Sequence, residues 1–93
     1  MAIYVDNLID YTPIPKLADG LWCHLACDNL DDLTELHEFA QKIGLTRDWF
    51  HDRPTHPHYD LSPYYRQRAL EAGAIPTSAT DLVRRCTRFL QPR

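Results

Sequence analysis

Two short apolar runs near the start of the chain each predict a β-strand. The first run, within residues 2–6, is rich in β-branched and aromatic side chains and ends at Asp6. The second run, residues 21–27, is apolar except for His24, which is typical of a buried strand. Residues 7–20 contain two prolines and a closing glycine, so they predict a loop that crosses the surface.

Helical spacing of apolar residues predicts a first helix after the second strand. The apolar stripe consists of Leu30, Leu33, Leu36, Phe39, Ala40 and Ile43. Asp28 or Asn29 is expected to cap the start of this helix, where the helix dipole also favours acidic residues. Gly44 is expected to end it in the left-handed conformation. Residues 46–61, rich in Pro, His, Asp and aromatic side chains, are predicted to be irregular.

Two more helices are predicted in the second half of the chain. A serine followed by Pro63 is typical of a helix start, and this helix is expected to stop at Gly73. Residues 74–76 predict a brief strand, and Ser78 with Asp81 predicts the capped start of a last helix. The buried face of the last helix is predicted to be Leu82, Val83, Cys86, Phe89 and Leu90. The order β-β-α-loop-α-β-α therefore predicts a small α/β fold, with a mainly parallel sheet of about three strands packed with three helices.

Length and composition predict one globular domain over residues 1–93. The chain is 44% hydrophobic and 25% charged, which is typical of a folded protein. Its net charge of −3 argues against strong binding to nucleic acid. No apolar stretch is long enough to cross a bilayer, and the start lacks the pattern of a signal peptide. The three cysteines, an odd number, predict buried free thiols in a reducing compartment, so we expect a cytoplasmic protein without membrane association.

An open strand edge and an apolar loop predict a homodimer. A sheet of about three strands leaves at least one edge that must be covered, charged or paired. The predicted loop over residues 7–20 is unusually apolar for a surface segment. Its apolar residues are Leu8, Ile9, Tyr11, Ile14 and Leu17. We expect this loop to pack on the partner in a symmetric dimer, and the alternative is that it covers the protein's own pocket as a lid.

Histidines beside acidic side chains mark the candidate site. His24 interrupts an apolar strand and His37 lies on the apolar stripe of a helix, so both are expected to point inward. Histidines so placed commonly have only a structural role, but imidazole also exchanges protons near neutral pH. We therefore predict His24 and His37 as a catalytic acid–base pair, with Asp60 or Asp6 orienting one of them. His58 is predicted as a reserve catalytic residue or a metal ligand.

Aromatic and basic side chains near these histidines predict a phosphate-containing ligand. Trp22 and Tyr59 offer ring faces on which a base stacks, and Arg47 and Arg66 are expected to pair with phosphate. Asp6 follows the end of a strand, where ligand sites of open α/β sheets lie. These five residues are the predicted ligand-binding set. The alternative is that the aromatic side chains are ordinary core.

A zinc site formed by His24, His37 and His58, with Asp60, fits the preference of zinc for imidazole and carboxylate. We nevertheless predict no required metal and no cofactor. The most metal-like pair, His56 and His58, straddles a proline in a segment predicted to be irregular.

The joint spacing of several motifs resembles an uncharacterised family of bacterial and phage proteins, domain of unknown function 4031. The resemblance covers about residues 2–85. The motifs are Tyr4-Val5-Asp6, Trp22-Cys23-His24-Leu25, Glu35-Leu36-His37, Trp49-Phe50 and His58-Tyr59-Asp60-Leu61. The resemblance implies no particular activity, but it draws attention to six positions, which are Asp6, Trp22, His24, His37, Tyr59 and Asp60. A phage setting would suit a protein that acts on host metabolism or on host nucleotide signals used in defence.

Three functions remain open from the sequence. The leading hypothesis is a domain that binds a nucleotide or cyclic nucleotide and hydrolyses its phosphoester by histidine acid–base chemistry. The second is a protein that sequesters the same ligand without cleaving it. The third is a module that holds a protein or RNA partner through the basic residues Arg84, Arg85 and Arg88 of the last helix.

Overall fold

A computed structural model describes residues 2–10 and 20–88 of the chain. These residues form six strands, three α-helices and one short 3-10 helix. The strands are β1 (Ile3–Val5), β2 (Ile9–Asp10), β3 (Leu21–Cys27), β4 (Phe50–His51), β5 (His58–Leu61) and β6 (Ile75–Pro76). The α-helices are α1 (Thr34–Lys42), α2 (Pro63–Glu71) and α3 (Ala79–Cys86), and the 3-10 helix is Arg47–Trp49.

The sheet is mixed, with the strand order β4-β5-β3-β1-β6 and with β2 also paired to β3. Only the β1–β6 pair is parallel, whereas the β1–β3, β3–β5 and β4–β5 pairs are antiparallel. The α/β class and the three helices are therefore confirmed, but the mainly parallel, three-stranded sheet is wrong. Parallel neighbours need a long crossover, usually helical, and the proline-containing segment between β1 and β3 has no helical pattern.

The segment 46–61, predicted to be irregular, instead supplies β4 and β5. In β5 the side chains alternate, because Tyr59 and Leu61 are buried while His58 and Asp60 are partly exposed. Asp is depleted in strands, so composition argued against a strand here. The strand forms because its Tyr and Leu complete the core on one face of the sheet.

The predicted loop over residues 7–20 contains β2, which pairs with the first part of β3. Residues 11–19 lie outside the described residues, and with them most of the predicted dimer or lid contact. The homodimer stays a prediction. Of the predicted buried face of the last helix, Leu82 and Cys86 are buried, but Val83 is 49% exposed, so its assignment to that face was wrong. Phe89 and Leu90 lie outside the described part.

The helix starts follow the capping residues in two cases out of three. α2 begins at Pro63 and α3 is capped by Ser78, whose hydroxyl accepts a hydrogen bond from the Asp81 N–H at 3.1 Å. α1 begins at Thr34 rather than directly after Asp28. The acidic and amide side chains before it bond neighbouring backbone N–H groups instead, as when Asp32 accepts from Thr34 at 3.0 Å.

The helices cover both faces of the sheet. α1 and α2 pack on the face that holds the larger core, and α3 packs on the other face against Tyr4 and Ala26. Cys23, Leu25 and Cys27 of β3 belong to the larger core, so the alternate residue His24 faces the α3 side. This alternation decides which candidate side chains meet.

The three cysteines are free and buried. Burial is the main reason why the pKa values of the Cys23 and Cys86 thiols rise to about 12. No helix within residues 2–10 and 20–88 has both the length and the apolar character to cross a bilayer.

Candidate functional site

Asp6 lies at an irregularity between β1 and β2. Val5 pairs with Leu25 of β3, and Ile9 pairs with Trp22 of β3. Between these two pairs, the segment that contains Asp6 is one residue longer than the facing segment of β3. An extra residue of this kind bends a strand and re-aims the side chains beside it. The backbone N–H of Asp6 still bonds the His24 carbonyl at 3.3 Å.

The Asp6 carboxylate fixes His24. Its side chain is only 1% exposed, and one oxygen accepts the backbone N–H of His24 at 2.6 Å. The other oxygen lies 2.9 Å from His24 Nδ1. An ionised carboxylate only accepts, so Nδ1 carries the hydrogen and Nε2 points away from Asp6. The hydrogen bond to Asp6 raises the pKa of His24, against the effect of burial.

Strand pairing gathers a histidine–aspartate cluster, which we define as His24, His51, His58 and Asp60. His24 of β3 pairs with Asp60 of β5, and His51 of β4 pairs with His58. Asp60 Oδ1 lies 3.9 Å from His24 Nε2 and 3.4 Å from His58 Nε2. Asp60 Oδ2 lies 3.0 Å from His51 Nε2. Three imidazoles therefore surround one carboxylate.

His58 is oriented much as His24 is. Its Nδ1 lies 2.7 Å from the backbone carbonyl of His56, so Nδ1 carries the hydrogen and Nε2 turns toward Asp60. Its ring stacks on that of His51 at 4.9 Å and meets the edge of His24 at 5.1 Å. The ring position is thus fixed from several sides.

Burial works to raise the pKa of Asp60. The interactions of the Asp60 carboxylate with His58, His51 and His24 outweigh this effect of burial and hold the pKa of Asp60 below its usual value. Asp60 is therefore a carboxylate at neutral pH, and it is available as an acceptor or a ligand.

The cluster lies between two cavities. One, of about 300 Å³, is a cleft between the sheet and α3 whose walls include His24, His58 and Leu82. The other, of about 430 Å³, is bounded by His51 and Asp60. The second cavity also has three aromatic walls, which are Trp22, Trp49 and Tyr65. Within the described part of the chain, the buried indole N–H of Trp22 has no hydrogen-bond partner.

His37 belongs to a separate group on the opposite face of the sheet. Its Nδ1 lies 2.8 Å from the Tyr59 hydroxyl, and its ring packs edge-on against Phe50 at 4.6 Å. Burial, followed by the nearby Arg47 charge, lowers the pKa of His37. His37, Arg47 and Tyr59 line a cavity of their own. The structure therefore does not bring His37 together with His24, and it places Tyr59 and Arg47 away from the cluster.

The remaining predicted residues divide between the cluster and its support. Asp6 holds His24, and Trp22 borders the cavity beside Asp60. The Arg66 Nε–H donates to the Asp6 backbone carbonyl at 2.9 Å, so this arginine supports the bend of the strand.

His51 belongs to the cluster but was not predicted as a site residue from the sequence. Its pairing with His58 was the missing signal, because β4 was not predicted.

Replacing His37 by Gln is expected to reduce the loss of stability on acidification. Because the pKa of folded His37 is lowered, the unfolded chain binds more protons around the ordinary histidine pKa of about 6.5. The stability that comes from neutral His37 is present above that pH and lost as the pH falls through the folded pKa. Urea unfolding at about pH 7.5 and about pH 5.5 measures this loss. Equal losses in both proteins would rule out His37 as its source.

A family model described as a protein of unknown function, DUF4031, matches residues 3–89. The chain therefore belongs to this family. No curated protein and no solved structure matches it.

Proposed function

We propose that the protein is a hydrolase that cleaves a phosphoester of a small nucleotide at the histidine–aspartate cluster. One observation carries this proposal. His24 and His58, each with Nδ1 already engaged, turn Nε2 toward the same carboxylate of Asp60. The two imidazoles can transfer protons, and the carboxylate carries a negative charge. These groups lie between two cavities, through which a substrate has access.

The two cavities suit the two halves of a nucleotide. Each falls in or near the range of about 300–1,000 Å³ that is usual for small-molecule sites. In this proposal the phosphate binds at the cluster, and the base stacks on Trp22, Trp49 or Tyr65. Trp49 is 45% exposed, so its ring is accessible to a ligand.

The reaction needs water to be activated and a leaving oxygen to be protonated. His24, His58 and His51 all lie within 3.9 Å of an Asp60 oxygen, so the cluster offers several groups for these steps. Asp6 acts as a positioning residue, because it contacts His24 and is itself almost wholly buried. The pair expected from the sequence, His24 with His37, is replaced in this proposal by His24 with His58.

The test is incubation of the protein with a panel of linear and cyclic nucleotides, followed by denaturation and chromatography of the ligands. Wild-type protein is expected to release new products. His58→Gln should lower turnover about 100-fold or more, the usual range for a group that transfers protons. His37→Gln, with its ring on the other face of the sheet, should change turnover only a few-fold.

Two outcomes would contradict the proposal. A nucleotide that binds tightly and is recovered intact would make the protein a sequestering one. Full turnover in folded His58→Gln would move the chemistry away from the cluster. Circular dichroism and urea unfolding of each variant establish that it is folded.

The interaction-module hypothesis has weaker support. Arg84 and Arg85 are exposed on α3, but the Arg88 guanidinium already bonds the Leu30 carbonyl and lies 3.0 Å from Asp31. Part of the basic group is thus engaged within the chain. Charge reversal at Arg84 and Arg85 should leave nucleotide turnover unchanged.

A further inference from the structure

The cluster brings three acceptor atoms together. The Asp6 carboxylate and the His56 carbonyl only accept hydrogen bonds, so each places the hydrogen of its histidine on Nδ1. In the neutral imidazoles, Nε2 of His24 and of His58 then carries a lone pair. Both lone pairs lie near Asp60 Oδ1, which is also an acceptor. A proton on one of the rings, a hydrogen-donating water molecule or a metal ion between the three atoms would satisfy this arrangement.

The distances suit a metal ion. Ligand atoms about 2.0–2.1 Å from a tetrahedral zinc ion lie roughly 3.3 Å from one another. His58 Nε2 and Asp60 Oδ1 are 3.4 Å apart, and His24 Nε2 is 3.9 Å from the same oxygen. One ligand atom from each of these three residues lies within 4.8 Å of those of the other two. The His58–Asp60 pair already has this spacing, whereas His24 has to move closer to both by rotation of its side chain.

The surrounding contacts are those that support metal ligands in proteins. A histidine that binds a metal commonly donates its other N–H to a carboxylate or a backbone carbonyl, which fixes the tautomer and ring orientation. Asp6 does this for His24, and the His56 carbonyl does it for His58. His51 contacts the second oxygen of Asp60 and leaves Oδ1 available.

We infer that His24 Nε2, His58 Nε2 and Asp60 Oδ1 bind one divalent first-row transition metal ion. Two imidazoles and a carboxylate suit zinc or iron better than calcium or magnesium, which prefer oxygen ligands throughout. Three protein ligands leave a position for water, as in catalytic rather than structural zinc sites. The cavities on either side of the cluster would give substrate and solvent access to this ion.

The role of the ion rests on the proposed function. With an ion bound, His24 and His58 act as its ligands and no longer transfer protons, so the metal-bound water takes over the activation step of the proposed reaction. A bound divalent ion lowers the pKa of its water and makes hydroxide available near neutral pH. In this reaction the water gives one proton to solvent, and its oxygen forms a bond to phosphorus. The ester P–O bond breaks, and the leaving oxygen takes a proton from solvent. The overall change is consumption of one water per phosphoester.

The test uses full-length protein purified without a polyhistidine tag, because a tag would itself bind metal. Titration with Co²⁺, followed by visible absorption, and with Zn²⁺, followed by calorimetry, is expected to show one site per chain. His58→Gln should weaken binding by more than about 100-fold, beyond the 10- to 100-fold effect of residues behind the ligands. His24→Gln gives a second ligand variant if the first is poorly folded. The control is His37→Gln, which removes an imidazole on the opposite face of the sheet and should bind both metal ions as tightly as wild type does.

Unchanged binding in folded His58→Gln and His24→Gln would overturn the metal site, and so would the absence of Co²⁺ and Zn²⁺ binding to wild type. Hydrolysis at full rate after removal of metal by a chelator would overturn the role of the ion and leave the proposed function standing. Binding of one ion that depends on both histidines, without hydrolysis of any nucleotide, would support the site and contradict the proposed function.

Discussion

Replacing Asp6 by Asn is expected to reverse the tautomer of His24 and to remove its Nε2 from the metal site. In the wild type, the His24 backbone N–H donates to the Asp6 carboxylate at 2.6 Å, and the amide oxygen of Asn can still accept this hydrogen bond. The amide NH₂ then faces Nδ1, where two donors would oppose each other. The ring relieves this conflict by moving its hydrogen to Nε2, which can no longer bind an ion.

The expected size of this effect is a 10- to 100-fold loss of Zn²⁺ affinity, and a similar loss of turnover if the ion activates water, as is typical for a residue behind a metal ligand. Stability should fall by about 1–3 kcal/mol, because Asp6 is buried and bonded on both oxygens. Nitrogen-15 NMR of the histidine rings measures the tautomer directly.

Asp28→Asn is the matched control, because Asp28 is exposed and accepts one backbone N–H, from Ala2 at 2.9 Å. It should leave the His24 tautomer and metal binding unchanged. If Asp6→Asn kept the hydrogen on Nδ1 and bound Zn²⁺ as wild type does, the positioning role of Asp6 would be refuted.

Replacing Leu25 by Ala should destabilise the protein by about 2–5 kcal/mol, the usual cost of truncating a buried leucine. Leu25 is 0% exposed and lies in β3, directly beside His24 and opposite both Val5 and Tyr59. The cavity left by the missing methyl groups lies under the strand pair that holds His24 against Asp60. A loss at the upper end of this range would be a large part of the stability of so small a domain.

Leu21→Ala in the same strand is the control, because Leu21 is 39% exposed. It should cost less than about 1 kcal/mol, since little apolar surface is lost from the core. Urea unfolding followed by circular dichroism compares the two variants. Equal destabilisation would contradict the placement of Leu25 in the core and of Leu21 at the surface.

Local patterns in the sequence determined several elements of this fold. The starts of α2 and α3, the position of β3 and the brief strand at Ile75–Pro76 all followed from capping residues, prolines and runs of apolar side chains. These signals act between residues close in the chain, so they are visible without knowledge of the fold. The membership of His24, His58 and Asp60 in a candidate site was also predicted from their chemistry.

Only the tertiary structure decided which of these side chains meet. The pairing of β3 with β5 placed His24 beside Asp60, and the alternation of side chains in β5 sent Tyr59 to the opposite face with His37. A shift of one residue in such a register would exchange the two faces, and local patterns do not fix register across 35 residues of chain. The same long-range pairing brought His51 into the cluster. The sequence thus determined the chemical groups and most of the helix boundaries, whereas the strand register, set by burial of one face of β5, determined the site.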